Sequence, residues 1–221
     1  MNIKELIVYE DKSLVIINKP RGLLSQFDGN KDNPSLDVVL SEYLGKQAML
    51  INRLDKDTSG LIVFAKDNKS ATELANIINN HSVVEKHYLT LVSGVVEEDG
   101  VVDAPLRKSY ERKKMVVAPL KSGAKTAVTK YFVKEKYNGY TLLDVQLVTG
   151  RTHQIRVHMS AIGYPVEGDP LYAGKNFDKL YKDGQLLVAY KLRLIHPKTK
   201  KEMVFEIPLP EYFEKVLESL R

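Results

Sequence analysis

Asn52-Arg53-Leu54-Asp55-Lys56-Asp57-Thr58-Ser59-Gly60 is polar between two apolar flanks, and this contrast constrains the fold more than any other stretch of the chain. Met49-Leu50-Ile51 leads in, and Leu61-Ile62-Val63-Phe64-Ala65, a strand candidate, leads out. The nine residues between them carry two acids, two bases, two hydroxyls and a glycine, with a single apolar side chain. A polar turn pinned between buried strands is where a rigid scaffold holds reactive groups. A solvated Asp/Ser/Gly turn is the competing reading of the same residues.

Around this turn the pattern alternates between strand and helix. Residues 6–9 and 13–18 read as strands joined by a charged turn, and Lys19-Pro20-Arg21-Gly22 then breaks the sheet. Ser35 is placed as an N-cap for a helix on Leu36, Val39, Leu40, Tyr43 and Leu44, closed by Gly45. Asp67 or Asn68 starts a second helix whose inner face is Ala71, Leu74, Ala75 and Ile78. Residues 85–96 read as a strand, and residues 126–134 and 140–148 as a hairpin around Tyr137-Asn138-Gly139. A helix is predicted from Thr152 through Ile155, Met159 and Ile162 to Gly163. A second hairpin turns at His196-Pro197-Lys198-Thr199, and a last helix buries Phe213, Val216, Leu217 and Leu220. Strands outnumber helices about two to one and hairpins dominate the connections. This predicts an α+β fold with a mixed, mainly antiparallel sheet in one domain over residues 1–221.

Composition excludes several function classes. There is no cysteine, hence no disulfide, thiolate nucleophile or Cys-zinc site. Of five histidines only His153 and His158 are close in sequence, and neither has a carboxylate within four residues, so no metal site is expected. No signal-peptide core and no run of about 18 apolar residues occurs, which predicts a soluble cytoplasmic protein that does not enter a membrane. The net charge is +5. Between positions 105 and 125 seven bases (Arg107, Lys108, Arg112, Lys113, Lys114, Lys121, Lys125) stand against one acid, Glu111. This concentration predicts an exposed basic arm for a polyanionic partner, against the plainer reading of a solvated loop.

Three constellations could carry chemistry. Asp55 and Asp57 could share acid–base work, or Asp55 could be a nucleophile; either way an ionised carboxylate in a partly dry site needs a cation beside it. Arg53, Arg151 and Arg156 are the cations on offer. Residues 148–158 pass from a strand through Gly150 into a helix start, a junction that suits anions. His153 and His158 fit structural hydrogen bonding better than metal ligation. Lys86-His87-Tyr88 puts an aromatic beside a base on a strand, as half-buried packing or as a stacking surface for a nucleobase.

Together these stretches resemble the RluA family of RNA pseudouridine synthases. Residues 53–60 are similar to its R-L-D-x-x-T-S-G signature and residues 86–94 to K-x-Y-x-x-L-V-x-G. Gly150-Arg151-Thr152-His153-Gln154-Ile155-Arg156-Val157-His158 matches its G-R-T-H-Q-I-R-x-H segment. Residues 168–174 resemble its G-D-x-x-Y-G close, and residues 15–22 its opening strand with K-P-x-G. The resemblance implies a central cleft in the sheet, with Asp55 as the nucleophile that isomerises uridine to pseudouridine without cofactor or metal. It implies that Arg151 pairs with Asp55, that Tyr88 lies against the flipped uracil, and that Arg53 fills the gap the base leaves. Arg107, Arg112, Lys113, Lys114 and Arg156 are then RNA contacts, with ribosomal or transfer RNA as partner and the protein a monomer. Attack at the ribose and proton abstraction to a glycal are both open. Asn52 stands where the family often has His, and the small N-terminal RNA-binding module of several relatives has no counterpart before the catalytic domain. Two rival readings are an RNA chaperone on the same scaffold, and a retaining glycoside hydrolase or nucleosidase using Asp55 with Asp57.

Overall fold

The computed structural model describes residues 2–79, 84–174 and 180–221. In chain order its elements are β1 (Ile7–Glu10), β2 (Leu14–Lys19), α1 (Leu36–Leu44), β3 (Met49–Leu50), β4 (Ser59–Ala65), α2 (Asn68–Asn79), β5 (Glu85–Ser93), β6 (Gly100–Asp103), β7 (Leu106–Ser109) and β8 (Lys114–Val117). There follow β9 (Val128–Tyr137), β10 (Tyr140–Leu147), α3 (Gln154–Ala161), β11 (Leu187–Ile195), β12 (Glu202–Glu206) and α4 (Glu211–Ser219). The fold is α+β and its sheet pairings are mainly antiparallel, as the hairpin-rich pattern predicts. Contacts divide the chain into two compact units, Met1–Glu85 with Ala189–Pro208, and Lys86–Val188 with Leu209–Arg221. No linker marks the division, because the chain leaves the first unit and later returns to it along β11.

In the first unit the strand order is β1-β2-β4-β11, with β3 beside β4 and β12 beside β11. β2 and β4 run antiparallel from Leu14 opposite Ala65 to Lys19 opposite Gly60. All seven residues of β4 are buried, and from Leu61 to Ala65 they form the continuous apolar run expected of a strand covered on both faces. Leu14, Ile16, Leu61, Val63 and Ala65 pack with Leu74 of α2 and with Leu192 and Leu194 of β11. Asp67 caps α2, its carboxylate accepting from the Ser70 amide and hydroxyl at 2.8 Å each. Ala75, expected inside, is exposed, while Leu74 and Ile78 are buried. Ser35 precedes α1 but does not cap it: its hydroxyl donates to Asp37 at 2.6 Å instead. Gly45 closes α1 in the left-handed region, at φ 63. His196 ties the β11–β12 turn to the β1–β2 turn. Its Nδ1 accepts from the Lys198 and Thr199 amides, and its Nε2 lies 2.7 Å from Asp11.

In the second unit the strand order is β5-β10-β9-β6. β9 and β10 form the hairpin signalled by Asn138-Gly139, with Tyr137 opposite Tyr140 and Gly139 at φ 79. The segment expected as a basic arm is itself a hairpin, β7 and β8, with Arg107 opposite Val116 and Lys108 opposite Met115. Leu106 and Met115 anchor it to a small core with Ala127, Val157 and Tyr172.

Helix α3 has no apolar stripe. Six consecutive residues, Gln154 to Met159, are buried, so its polar groups must find partners inside. Arg156 and Asp169 pair through two contacts of 2.6 and 2.9 Å. His158 meets the Thr129 hydroxyl through Nδ1 and the Ala104 carbonyl through Nε2, both at 2.9 Å. A carbonyl only accepts, so Nε2 carries a proton; the Thr129 hydroxyl can donate to Nδ1, and burial favours that neutral ring over one protonated at both nitrogens.

Burial pushes the His158 imidazolium down, with the Ala104 carbonyl and Asp103 acting weakly the other way. The unfolded ring takes up its proton near the ordinary value of 6.5 while the folded ring resists. This group therefore removes stability as pH falls below about 6.5. Urea unfolding at pH 7 and pH 5 is expected to show a smaller acid loss for His158→Gln than for the parent; equal losses would contradict the buried neutral ring.

Candidate active site

The polar turn of the first unit is held by backbone on both sides. Asn52 accepts from the Val63 amide at 2.8 Å, and the Ile51 amide donates to Val63 at 3.0 Å. Ser25 clamps Leu54, donating to its carbonyl at 2.6 Å and accepting from its amide at 3.1 Å. The Thr58 amide donates back to the Asp55 carbonyl at 3.1 Å, so Lys56 and Asp57 form the tip of a tight turn. Leu54, Thr58 and Ser59 are buried. Asp55 and Asp57 are half-buried, while Arg53 and Lys56 are exposed. Gly60, at φ 114, closes the motif; a Cβ there would collide with the Ala189 carbonyl, so only glycine lets β4 start this close to β11.

Lys19 lies beneath this turn, fully buried. Its Nζ donates to the carbonyls of Leu23 at 2.8 Å, Pro20 at 3.0 Å and Lys56 at 3.0 Å. An ammonium has three protons to give, and each has a carbonyl. The Lys56 carbonyl also accepts from the Gly22 amide at 2.9 Å, so the K-P-x-G break and the polar turn share one anchor. Burial pushes the ammonium down to about 7, while Asp57 and Asp55 pull the other way. One cation that Asp55 acts on within its own unit is thus the lysine at the end of β2. Sequence reading treated it as a sheet breaker, yet it continues the buried face that Val15 and Ile17 define on β2.

In the second unit Tyr88 is buried on β5, 7% exposed. Arg151, at the Gly150 turn, is half-buried; its Nε donates to the Thr126 carbonyl at 2.9 Å. Gln154 organises this turn. Its Oε1 accepts from the Thr149 hydroxyl at 2.7 Å and the Arg151 amide at 2.9 Å, and its Nε2 donates to Val128 and Thr129. All four of its hydrogen-bonding capacities are used, a role that no spacing rule signals. His153 adopts the left-handed region at φ 54 and meets the Tyr172 hydroxyl at 2.9 Å. That hydroxyl also accepts from the Met115 amide at 3.1 Å, tying the turn to β8. Both histidines make side-chain hydrogen bonds, His153 to Tyr172 and His158 to Thr129 and Ala104.

Arg156 is not an RNA contact. It is 4% exposed, paired with Asp169, and its guanidinium lies 5.2 Å from the Tyr172 ring centre. A side chain so enclosed cannot reach a phosphate, and exposing it would strand Asp169. Arg107, Arg112 and Lys113 are exposed on the β7–β8 hairpin, and Lys114 is half-buried with its Nζ 5.0 Å from the Tyr172 ring centre. Of the expected site residues, Asp55 and Arg53 share the turn of the first unit. Tyr88, Arg151 and the hairpin bases belong to the second.

The fold is that of the pseudouridylate synthases: human RNA pseudouridylate synthase domain containing 4 matches at a TM-score of 0.80 with 27% identity, covering 99% of this chain and 94% of that one. Human RNA pseudouridylate synthase domain containing 1 matches in fold at 0.79 and 22% identity. Residues 13–161 fit the family model described as RNA pseudouridylate synthase, and the chain belongs to that family. It is 40% identical to the ribosomal large subunit pseudouridine synthase D of Nitrosomonas europaea, across 97% of this chain and 65% of that protein. It is 37% identical to the protein of the same name from Haemophilus influenzae, across 100% of this chain and 72% of that one.

Lys19→Met removes the donor from the buried Leu23 carbonyl and from the part-buried carbonyls of Pro20 and Lys56, the last of which keeps the Gly22 amide. A buried loss of this kind costs about 1–3 kcal/mol, partly offset by removing a buried charge. A net loss of roughly 3 kcal/mol in unfolding free energy is expected. An unchanged or raised urea midpoint would show that the ammonium does not hold the turn.

Proposed function

We propose that this chain isomerises uridine to pseudouridine in RNA, with ribosomal RNA of the large subunit as its substrate, and that Asp55 is the nucleophile. The observation that carries the reading is the Asp55 turn itself. A half-buried carboxylate is fixed by backbone contacts above a buried ammonium, in a chain of the RNA pseudouridylate synthase family. The reaction detaches uracil from ribose with the bonding pair of the C1′–N1 bond, rotates the base, rejoins it through C5 and releases the C5 proton. Attack on the ribose and abstraction of a ribose proton both need Asp55 ionised. Arg151 serves as its counter-charge, Tyr88 lies against the flipped uracil and Arg53 fills the gap in the RNA. Large-subunit RNA is favoured over transfer RNA by the printed names of the relatives at 37–40% identity. The rival readings lack support of this kind: an RNA chaperone needs no carboxylate held this way, and a glycoside hydrolase leaves the basic hairpin without a role.

Asp55→Asn keeps the shape and loses the charge. Pseudouridine formation in large-subunit RNA should fall below about 1% of the parent rate while RNA affinity stays within about threefold. Substantial product from this variant would remove Asp55 from the nucleophile's role.

The hairpin predicts a salt dependence. If about five of the seven bases between positions 105 and 125 meet phosphates, log K falls with log salt at a slope near −4. Neutralising Arg107, Arg112 and Lys113 together to Gln should bring the slope to about −2. An unchanged slope would mean that the hairpin is only solvated.

A further inference from the structure

Lys86 stands two residues before Tyr88 on β5, so the two side chains leave the strand on the same face. Both are buried, at 8% and 7% exposure. Its Nζ lies beside the turn that carries Arg151: a Cβ added to Gly150 would stand 3.6 Å from it. Unlike Lys19, it makes no hydrogen bond or ion pair with a described residue. Burial pushes its ammonium down, and no neighbouring acid pulls it back. A cation this dry costs free energy unless something pairs with it.

We propose that Lys86 is a further catalytic residue, whose ammonium, on the Tyr88 face of β5 beside Gly150, donates to a carbonyl oxygen of the flipped uracil and stabilises the charge that builds there as the base leaves ribose. This rests on the pseudouridine synthase reading, in which Tyr88 lies against that uracil. An RNA phosphate remains near the surface with its counter-ions, whereas the flipped base is the part that enters the protein interior. A lysine side chain enclosed to this degree, 8% exposed as a residue, therefore fits a base oxygen better than a backbone phosphate. When the C1′–N1 bond breaks, its electron pair stays on uracil and spreads from N1 onto O2 and O4. A fixed cation in a dry site lowers the energy of that state more than that of the neutral base. Reattachment through C5 returns the pair to a covalent bond, and the ammonium neither gains nor loses a proton.

The test combines a protein change with an atom change in the RNA. Lys86→Met keeps the length of the side chain and removes an uncompensated charge, so its thermal midpoint should be no lower than the parent's. Its kcat on large-subunit RNA should fall about 100-fold with RNA affinity within about threefold. RNA carrying 2-thiouridine or 4-thiouridine at the target replaces one carbonyl oxygen by a poorer acceptor. One of the two should slow the parent enzyme about tenfold or more and add little to the Lys86→Met loss. Lys86→Met at parental kcat, both thio-RNAs turned over at the parent rate, or fully multiplicative losses would each overturn the proposal. Should the parent enzyme form no pseudouridine in any ribosomal RNA, the underlying functional reading fails instead. The parent assay separates the two failures.

Discussion

The ammonium of Lys19 is the point on which the first unit's geometry turns. A lysine with no exposure is tolerated only when all its protons are taken, and here three main-chain carbonyls take them. One of the three belongs to Lys56, between the two aspartates of the polar turn. The end of β2, the Pro20–Gly22 break and the turn that presents Asp55 are thereby fixed by one atom. The turn cannot shift at Lys56 without breaking both this contact and that from the Gly22 amide. Asp57 and Asp55 in turn favour the charged form of the ammonium below them.

The second unit reaches a similar rigidity by another route. Helix α3 is enclosed on all sides and carries Gln154, Arg156 and His158 into the interior. Each is met by a partner that its neighbours also hold: Thr129 serves both Gln154 and His158, and Asp169 takes Arg156 together with the Leu171 and Tyr172 amides. Networks in which every member is satisfied specify one arrangement, because any slip leaves a polar group buried and alone. Tyr172 extends that specification to the basic hairpin, through its hydroxyl to Met115 and His153 and through its ring to Arg156 and Lys114.

Much of this was legible beforehand. The polar turn between apolar flanks, the Asn138-Gly139 hairpin and the helix on Phe213, Val216 and Leu217 all follow from local chemistry and short periodicity. What escaped notice depends on partners distant in sequence. Lys19 and Arg156 are charged, and charged residues default to the surface until a carbonyl cluster or Asp169 is known to surround them. Ser35 sits at a helix start but bonds Asp37, a choice between two neighbours that composition cannot rank. The basic segment showed no helical period, and its strand character was masked because Leu106 is the one buried apolar residue of its two strands.

The first unit is interrupted: β4, which ends the polar turn, lies against β11, and more than a hundred residues of the second unit intervene. A chain emerging from synthesis therefore carries the Asp55 turn long before its supporting strand exists. At roughly 5–20 residues per second, the stretch from the turn to residue 208 takes on the order of 10 to 30 s. During that interval the second unit has its own sheet nearly whole, whereas β4, apolar from Leu61 to Ala65 and paired with β2 and β3, lacks its β11 neighbour, which leaves an edge of the kind that invites wrong partners. The late return of β11 means that the Asp55 turn gains its supporting strand only after the second unit has been made, and that β4 is where a newborn chain is most exposed to aggregation.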